Sequence, residues 1–490
     1  MVDASRLSRD FATETAARLV YYLTSGLVIV FLSRQLLPAD YGTLFLAISV
    51  LTVARLFSSL GLAKSAAKHV SQYLDGDGRQ VRHVLVQSLR YNAVSIVVVS
   101  GTVFVGAEAI AGALGDPSIA PLLAVGSLYV AFATLYNYAR VVLQGFQDIA
   151  ASATVYACEG VGRIVGVFVL VTAGYALMGA LVGYVLGFVL AAAVGVWLLL
   201  ERLPSRADTD PIEDGLVRRI LRYSLPLTVT RGAWVLDREV DVILVGYFLN
   251  PAIVGYYVVS KQIVTFATGP AQSLGFSIGP QFNEASVAGE EAYARDTYER
   301  VLVYLLLFYV PAVVGLFLLA EPVVTTVFGD QYRDVVPILQ TFCAAIVLVS
   351  VTKSTEDILD YLGRADSRAK FKLLTSAGNV TLTAVFIQSM GAVGAAVATV
   401  CMQAVYAALC LAVVNAELGL RTRYLLGQAV RVAGIAAVMA VVVVGLTGYV
   451  DGLVTIAAVV LCGTAVWGSL AVLGGFFSLS DIGQAALGSE

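Results

Sequence analysis

The sequence predicts an all-α integral membrane protein of about fourteen transmembrane helices, built as two six-helix lobes in parallel repeat plus a terminal helix pair. Hydrophobic residues make up 59% of the chain and charged residues 13%, whereas soluble domains carry about 25% charged residues. Apolar runs of roughly 20 residues, enough to cross a hydrocarbon layer about 30 Å thick, recur along the chain. The second half also repeats a motif of the first.

Each predicted span is one apolar run, and an even number of spans per half makes the two copies point the same way through the bilayer. In order, the spans are 13–33, 39–62, 84–113, 119–143, 150–172, 175–200, 219–248, 252–277, 299–320, 335–354, 369–389, 391–415, 425–448 and 452–477. We accordingly predict an N-terminal lobe over 1–200, a cytoplasmic linker over 201–218, a C-terminal lobe over 219–415 and extra helices 13 and 14 over 416–490.

The repeat consists of an arginine inside an apolar run, followed by a Pro-Ala-x-x-Gly turn. Arg18, Pro38, Ala39 and Gly42 return at one constant spacing as Arg231, Pro251, Ala252 and Gly255. Duplicated halves around a central pathway are common in secondary transporters, with the substrate site between the repeats. The repeat therefore predicts a transporter that works by alternating access.

Basic residues concentrate in the predicted inner loops, and the outer loops hold only Arg34 and Arg333. By the positive-inside tendency, both termini are expected in the cytoplasm. We expect a multi-pass protein in the plasma membrane of a bacterium or archaeon. The five cysteines form no C-x-x-C pair, and both histidines fall in one inner loop, so no zinc or heme site, no cofactor and no nucleic-acid partner is expected.

Ionisable residues inside spans cost about 2.5–3.5 kcal/mol each on insertion scales, which makes them candidates for function. They are Arg18, Arg55, Glu159 and Arg163 in the first half and Arg231, Asp237, Arg238, Glu239, Asp241, Lys261 and Lys353 in the second. On the seventh span, all of these except Glu239 fall within one third of the helical wheel. An arginine in a span can also serve as a structural partner of an acidic residue, or reach the headgroups. Two lobes that each present a basic residue would enclose an anion.

Several short segments resemble the polysaccharide and oligosaccharide-lipid flippases of the multidrug/oligosaccharidyl-lipid/polysaccharide exporter superfamily. They are Ser33-Arg34-Gln35-Leu36-Leu37-Pro38-Ala39-Asp40-Tyr41-Gly42, Leu60-Gly61-Leu62-Ala63, Leu143-Gln144-Gly145 and the stretch from Leu225-Pro226 through Asp241 to Gly255-Tyr256-Tyr257. The peptidoglycan-precursor relatives look similar around Arg55-Leu56-Phe57 and at Lys261, which follows Tyr256-Tyr257. The resemblance covers essentially the whole chain, and it rests on the order and spacing of these segments.

The resemblance implies that central basic residues bind the phosphates of a lipid-linked sugar. Carried onto this chain, they are Arg18, Arg55, Arg231 and Lys261, to which we add Arg163 and Arg238 as candidates. Some relatives hold sodium among spans seven, eleven and twelve, where Asp237 or Asp241, Asn379, Thr383 and Thr399 supply hard oxygen ligands here. This chain departs from those relatives at Thr383, where a carboxylate would make a stronger site. The resemblance leaves open whether sodium or protons drive transport, and no metal ion other than sodium is expected.

The sequence thus predicts a flippase, not an enzyme, that moves a polyprenyl-(pyro)phosphate-linked sugar or oligosaccharide from the cytoplasmic to the outer leaflet for surface polysaccharide or glycoprotein assembly. Its expected partners are the bilayer, the lipid-linked sugar and the glycosyltransferases, ligase or polymerase of the same pathway. One alternative is a drug/cation antiporter of the same fold, although its cavity should be acidic and aromatic. Another is a polytopic glycan ligase or polymerase, which usually needs a large outer loop with catalytic carboxylates.

Overall fold

The computed structural model describes residues 4–74, 78–203, 213, 215–287 and 291–476. Every regular element in these ranges is helical, which confirms the all-α class. The α-helices are α1 Ala4–Gln35, α2 Pro38–Ser59, α3 Leu62–Tyr73, α4 Gly78–Val105, α5 Ala107–Ala113, α6 Ala120–Gly145, α7 Ile149–Leu170, α8 Ala176–Glu201, α9 Leu216–Phe248, α10 Pro251–Val287, α11 Glu291–Leu318, α12 Ala320–Val327, α13 Val335–Tyr361, α14 Ala365–Leu418, α15 Thr422–Thr447 and α16 Leu453–Leu473.

Ten helical segments of the described residues are long and apolar enough to cross a membrane, so the protein is a polytopic membrane protein. Two of them, Ile149–Glu201 and Ala365–Leu418, have 53 and 54 residues, more than twice the roughly 20 that a bilayer needs. Each is broken by a glycine in a left-handed conformation, Gly174 (φ 93°) and Gly391 (φ 60°). The charged helix α9 and its successor α10 are not among the ten. The predicted number of fourteen spans is therefore not confirmed.

Packing divides the chain into two compact units, Met1–Gly255 and Tyr256–Glu490. Helix α9 packs on α2, α3 and α4 and so belongs to the first unit. The predicted boundary between lobes, at 201–218, rests on the sequence repeat rather than on packing. It stays a prediction, because a helix of one repeat can pack on helices of the other.

In the first unit, glycines bring α7 and α8 into backbone contact. A Cβ added at Gly183 would lie 2.4 Å from the nitrogen of Val167, and one added at Gly187 would lie 2.8 Å from the nitrogen of Arg163. Small residues permit such close helix contacts inside membranes, where dispersion rather than water exclusion drives packing. The backbone that carries Arg163 is thereby held against α8.

Helices α2 and α9 lie side by side and antiparallel over their length. Near one end, the Leu46 side chain covers Gly246, where an added Cβ would be 2.6 Å from Leu46 Cδ1. Near the other end, Gly61, at the corner between α2 and α3, sits on α9, and its added Cβ would be 2.6 Å from the Ser224 carbonyl oxygen. Side chains at intermediate positions of α2 and α9 are therefore brought to the same level.

In the second unit, α13 packs on α14, and α11 packs on both α13 and α15. The buried carboxylate of Glu299 on α11 accepts hydrogen bonds from Arg421, from its backbone nitrogen at 2.6 Å and from Nε at 2.7 Å. Trp467 Nε1 of α16 donates to the Leu307 carbonyl oxygen at 2.8 Å. The last two helices are thus each fixed to α11 by polar contacts.

Candidate anion-binding site

Arg55 of α2 and Arg231 of α9 lie at one level of the α2–α9 pair. The residues that follow them touch, since a Cβ added at Gly232 would lie 3.3 Å from Leu56 Cδ2. Both arginines are half-buried, and their charges repel each other. Neither forms a hydrogen bond or an ion pair with any residue that the structure describes. Two adjacent cations that form no ion pair with a described residue provide binding energy for an anion.

A buried ion pair lies on α7, which packs on α1 and α8 in the first unit. Arg163 Nη1 is 3.4 Å from Glu159 Oε1, and the two side chains are 7% and 1% exposed. Arg163 Nη2 also donates to Ser25 Oγ of α1 at 2.6 Å. Of the predicted phosphate-binding residues, Arg163 is therefore the one with an internal partner and little exposed surface.

Two stacked tyrosine rings, the tyrosine column, connect the Arg163–Glu159 ion pair to a second ion pair, between Arg140 and Glu14. Tyr21 of α1 stacks on Tyr156 of α7 with ring centroids 4.4 Å apart. Arg163 lies over Tyr21 at 4.8 Å, and Arg140 of α6 lies over Tyr156 at 4.2 Å. Cation–π contacts of this kind stabilise by about 0.5–2 kcal/mol, more when desolvated. The column fixes α1 on α6 and α7 and orients both guanidinium groups.

Arg18 forms an ion pair within α1, and its predicted role in phosphate binding stays a prediction. Its side chain is 60% exposed, and its Nε lies 3.1 Å from Glu14 Oε1 on the same helix. Arg140 shares that carboxylate oxygen at 3.3 Å. The structure thus brings Arg18 to the Glu14 end of the tyrosine column.

The charged side chains of α9 have different surroundings. Glu239 points to α2, where Ser49 Oγ donates to its Oε2 at 2.8 Å, while half-exposed Arg238 lies 3.7 Å from Glu239 Oε1. Asp241 is buried and accepts a hydrogen bond from the Val242 nitrogen at 2.8 Å. Glu239 thus contributes a hydrogen bond to the contact between α2 and α9.

The remaining predicted residues belong to the second unit. Lys261 is half-buried, with Nζ 5.8 Å from the centroid of Tyr257. On α14, buried Thr383 donates to Asn379 Oδ1 at 3.4 Å, and Thr399 donates to the Ala395 carbonyl oxygen at 3.1 Å. No group of three His, Cys, Asp or Glu residues within the described ranges is placed to hold a metal ion. The predicted sodium ligands stay a prediction.

The two repeated turns meet in the first unit. A Cβ added at Gly42 would lie 1.8 Å from the Pro251 carbonyl oxygen, and one added at Gly255 would lie 2.3 Å from the Pro38 carbonyl oxygen. The contact is reciprocal, with the glycine of each turn against the proline of the other. Proline begins each helix, where its missing N–H is tolerated, and glycine lets the backbones touch. The repeat motif therefore builds a tight contact between its own two copies.

At the opposite end of the α2–α9 pair, a polar cluster joins α9 to α3 and α4. Glu213 accepts hydrogen bonds from Tyr73 and Arg219, and its backbone nitrogen donates to Gln80 Oε1 at 3.3 Å. The Arg219 and Tyr73 hydrogen bonds lower the pKa of the Glu213 carboxyl from its ordinary value. Lys68 Nζ lies 3.8 Å from the ring centroid of Tyr223. These polar contacts hold α9 against α3 and α4 at this end of the helix pair.

Sequence reasoning missed Glu14, Tyr21, Arg140 and Tyr156. Arg140 could have been found, because it lies inside the span predicted over 119–143. Glu14 lies four residues before Arg18, a spacing that pairs side chains on one helix face. The tyrosines carry no comparable signal, since aromatic residues are common in membrane helices for packing alone.

Comparisons with known proteins identify a family. A family model described as "Polysaccharide biosynthesis protein" matches residues 7–278, more than half of the chain. The chain is 23% identical over 371 residues to the "Probable low-salt glycan biosynthesis flippase Agl15" of Haloferax volcanii, covering 76% of this chain and 75% of that protein. It is 22% identical over 395 residues to the "Lipopolysaccharide biosynthesis protein WzxC" of Escherichia coli, covering 78% and 75%.

Solved structures show the same fold. The lipid II flippase MurJ in an inward closed conformation superposes with a TM-score of 0.77 at 15% identity, covering 95% of this chain and 98% of that one. A multidrug resistance MATE family transporter of the MOP superfamily, in an inward-facing conformation, gives a TM-score of 0.69 at 17% identity, covering 82% and 94%. The predicted resemblance is confirmed, and the chain belongs to the polysaccharide biosynthesis protein family, whose members are membrane flippases and not enzymes.

Proposed function

We propose that this protein flips a polyprenyl-(pyro)phosphate-linked sugar or oligosaccharide from the cytoplasmic to the outer leaflet, and that Arg55 and Arg231 bind its phosphates. The supporting observation is the pair of half-buried arginines without partners among the described residues, on two helices in contact. A phosphate oxygen accepts charge-assisted hydrogen bonds that are about twice as strong as neutral ones. Lys261, in the second unit, is a further candidate for phosphate binding.

The proposed cycle is alternating access between the repeated lobes, 1–200 and 219–415, with fourteen spans and both termini in the cytoplasm. The long segments broken at Gly174 and Gly391 supply two spans each, and α9 and α10 are membrane helices whose polar faces line the pathway. Non-apolar faces are tolerated in a bilayer when they border protein or water. Glycosyltransferases make the substrate on the inner side, and a ligase or polymerase consumes it outside.

An antiporter for organic cations fits the site less well. Its cavity would need an excess of acidic groups, whereas Arg55 and Arg231 place two cations next to each other. Glu239 accepts from Ser49, and Glu159 pairs with Arg163. Likeness to the multidrug transporter is a likeness of fold, at 17% identity.

The test is reconstitution of the purified chain in liposomes that contain a fluorescent polyprenyl-pyrophosphate-linked sugar, with dithionite access reporting its leaflet. We expect protein-dependent flipping that an excess of unlabelled lipid-linked sugar suppresses and that organic cations leave unchanged. Efflux of a cationic dye without flipping of the lipid would instead establish the antiporter.

A further inference from the structure

Glu159 is a buried carboxylate whose oxygens accept no hydrogen bond from the described residues. Among the described residues it forms one ion pair, with Arg163 at 3.4 Å, longer than the 2.7–2.9 Å of a charge-assisted hydrogen bond. An ionised carboxylate taken out of water loses several kcal/mol of hydration, which a single loose ion pair does not restore. Packing alone does not explain a carboxylate at this position.

The Arg163 guanidinium has other supports. It donates to Ser25 Oγ and lies against the rings of Tyr21 and Tyr184, at 4.8 and 5.4 Å. Gly187 of α8 closes on the backbone of both Arg163 and Glu159. Contacts with α1 and α8 therefore hold Arg163 and Glu159 in place, whatever the distance between their charged groups.

Glu159 also acts on the candidate anion site. Its charge interacts with that of Arg55 as well as with that of Arg163, and Arg55 in turn interacts with Arg231. One carboxylate thus opposes cations on two different helices, α2 and α7. In a low-dielectric interior such interactions extend over several ångströms.

We propose that Glu159 is a resident counter-ion that competes with the substrate's phosphate for the positive charge of Arg55 and Arg163. With Glu159 ionised, the site binds the lipid-linked phosphate loosely enough to release it in the outer leaflet. Glu159 touches no substrate and is a positioning residue. The inference rests on the proposed function, because it assumes that Arg55 and Arg231 hold an anion.

Opposite charge changes on the same pair test the inference. Farnesyl pyrophosphate serves as the probe, with binding to the full chain in nanodiscs measured by thermophoresis at pH 7.5. We expect Glu159→Gln to bind the probe about tenfold more tightly and Arg163→Gln about tenfold more weakly. The double variant Glu159→Gln, Arg163→Gln removes both charges of the pair and should bind more tightly than Arg163→Gln and more weakly than Glu159→Gln. Flipping by Glu159→Gln should slow at saturating substrate, since release becomes limiting.

A merely structural pair would shift both single variants in the same direction or leave both unchanged, and either result overturns the inference. If Glu159→Gln does not fold, Arg163→Gln and the double variant decide, because recovery of affinity in the double variant requires an electrostatic role. The proposed function fails separately: in that case the wild type does not bind the probe, or Arg231→Gln binds it as well as wild type does.

Discussion

The reciprocal contact of the repeated turns predicts an outer gate that a single methyl group opens. In Gly42→Ala, the new Cβ would lie 1.8 Å from the Pro251 carbonyl oxygen. Ordinary carbon–oxygen contact needs about 3.4 Å, so the turns must separate by roughly 1.5 Å or the backbone must strain. Overpacking of this kind costs about 1–3 kcal/mol, which reduces the population of the closed gate about 5- to 150-fold.

The assay is disulfide formation between Asp40→Cys and Ile253→Cys, one on each turn, with the five native cysteines replaced by serine. In the parent, we expect rapid oxidation that stops flipping until the disulfide is reduced. Adding Gly42→Ala should slow cross-linking at least fivefold and lower the rate of flipping. Gly101→Ala is the matched control, since an added Cβ there meets no atom within 4 Å. Unchanged cross-linking and flipping in Gly42→Ala would refute the gate, and so would a cross-link that leaves flipping intact.

Three further outcomes are expected. Gly187→Ala should lower the thermal midpoint of the purified protein, because its Cβ would lie 2.8 Å from the Arg163 nitrogen and overpacking costs about 1–3 kcal/mol; an unchanged midpoint would show that α7 and α8 separate freely. Glu213→Gln should raise hydrogen exchange in α3 at pH 7. Because the pKa of Glu213 is lowered, wild type should show the same rise only in acid, as the pH falls through that lowered pKa; equal exchange in both proteins at pH 7 would contradict it. Sodium-dependent flipping should disappear in Asn379→Ala if α14 binds the ion, whereas flipping that never depends on sodium removes that site.

The sequence predicted the features that local chemistry controls. Apolar runs identified nearly every long helix, and the repeat singled out Pro38, Gly42, Pro251 and Gly255 as two copies of one turn. Arg231 was singled out because it lies inside an apolar run and repeats Arg18. A charge in a bilayer is costly wherever it sits, so its presence alone is informative.

Partners of a charge depend on tertiary packing and could not be predicted. Arg18 and Arg231 occupy matched positions in the repeat, yet Arg18 is exposed beside Glu14, and Arg231 is half-buried beside Arg55. The stacking of Tyr21 on Tyr156 joins helices far apart in sequence, and no periodicity encodes it. Helix α9 also packs with the first unit, a choice that the repeat does not reveal.

The central claim is that Arg55 and Arg231 bind the phosphate of a lipid-linked sugar, and the flipping rate of the Arg55→Gln, Arg231→Gln double variant tests it most directly. Measured in liposomes beside Arg222→Gln, an exposed arginine of the same helix, the double variant should lose at least about 99% of flipping, because two charge-assisted contacts of about 1.5 kcal/mol each correspond to more than a 100-fold change in rate. Arg222→Gln should flip like wild type. Flipping by the folded double variant at the wild-type rate would contradict the account.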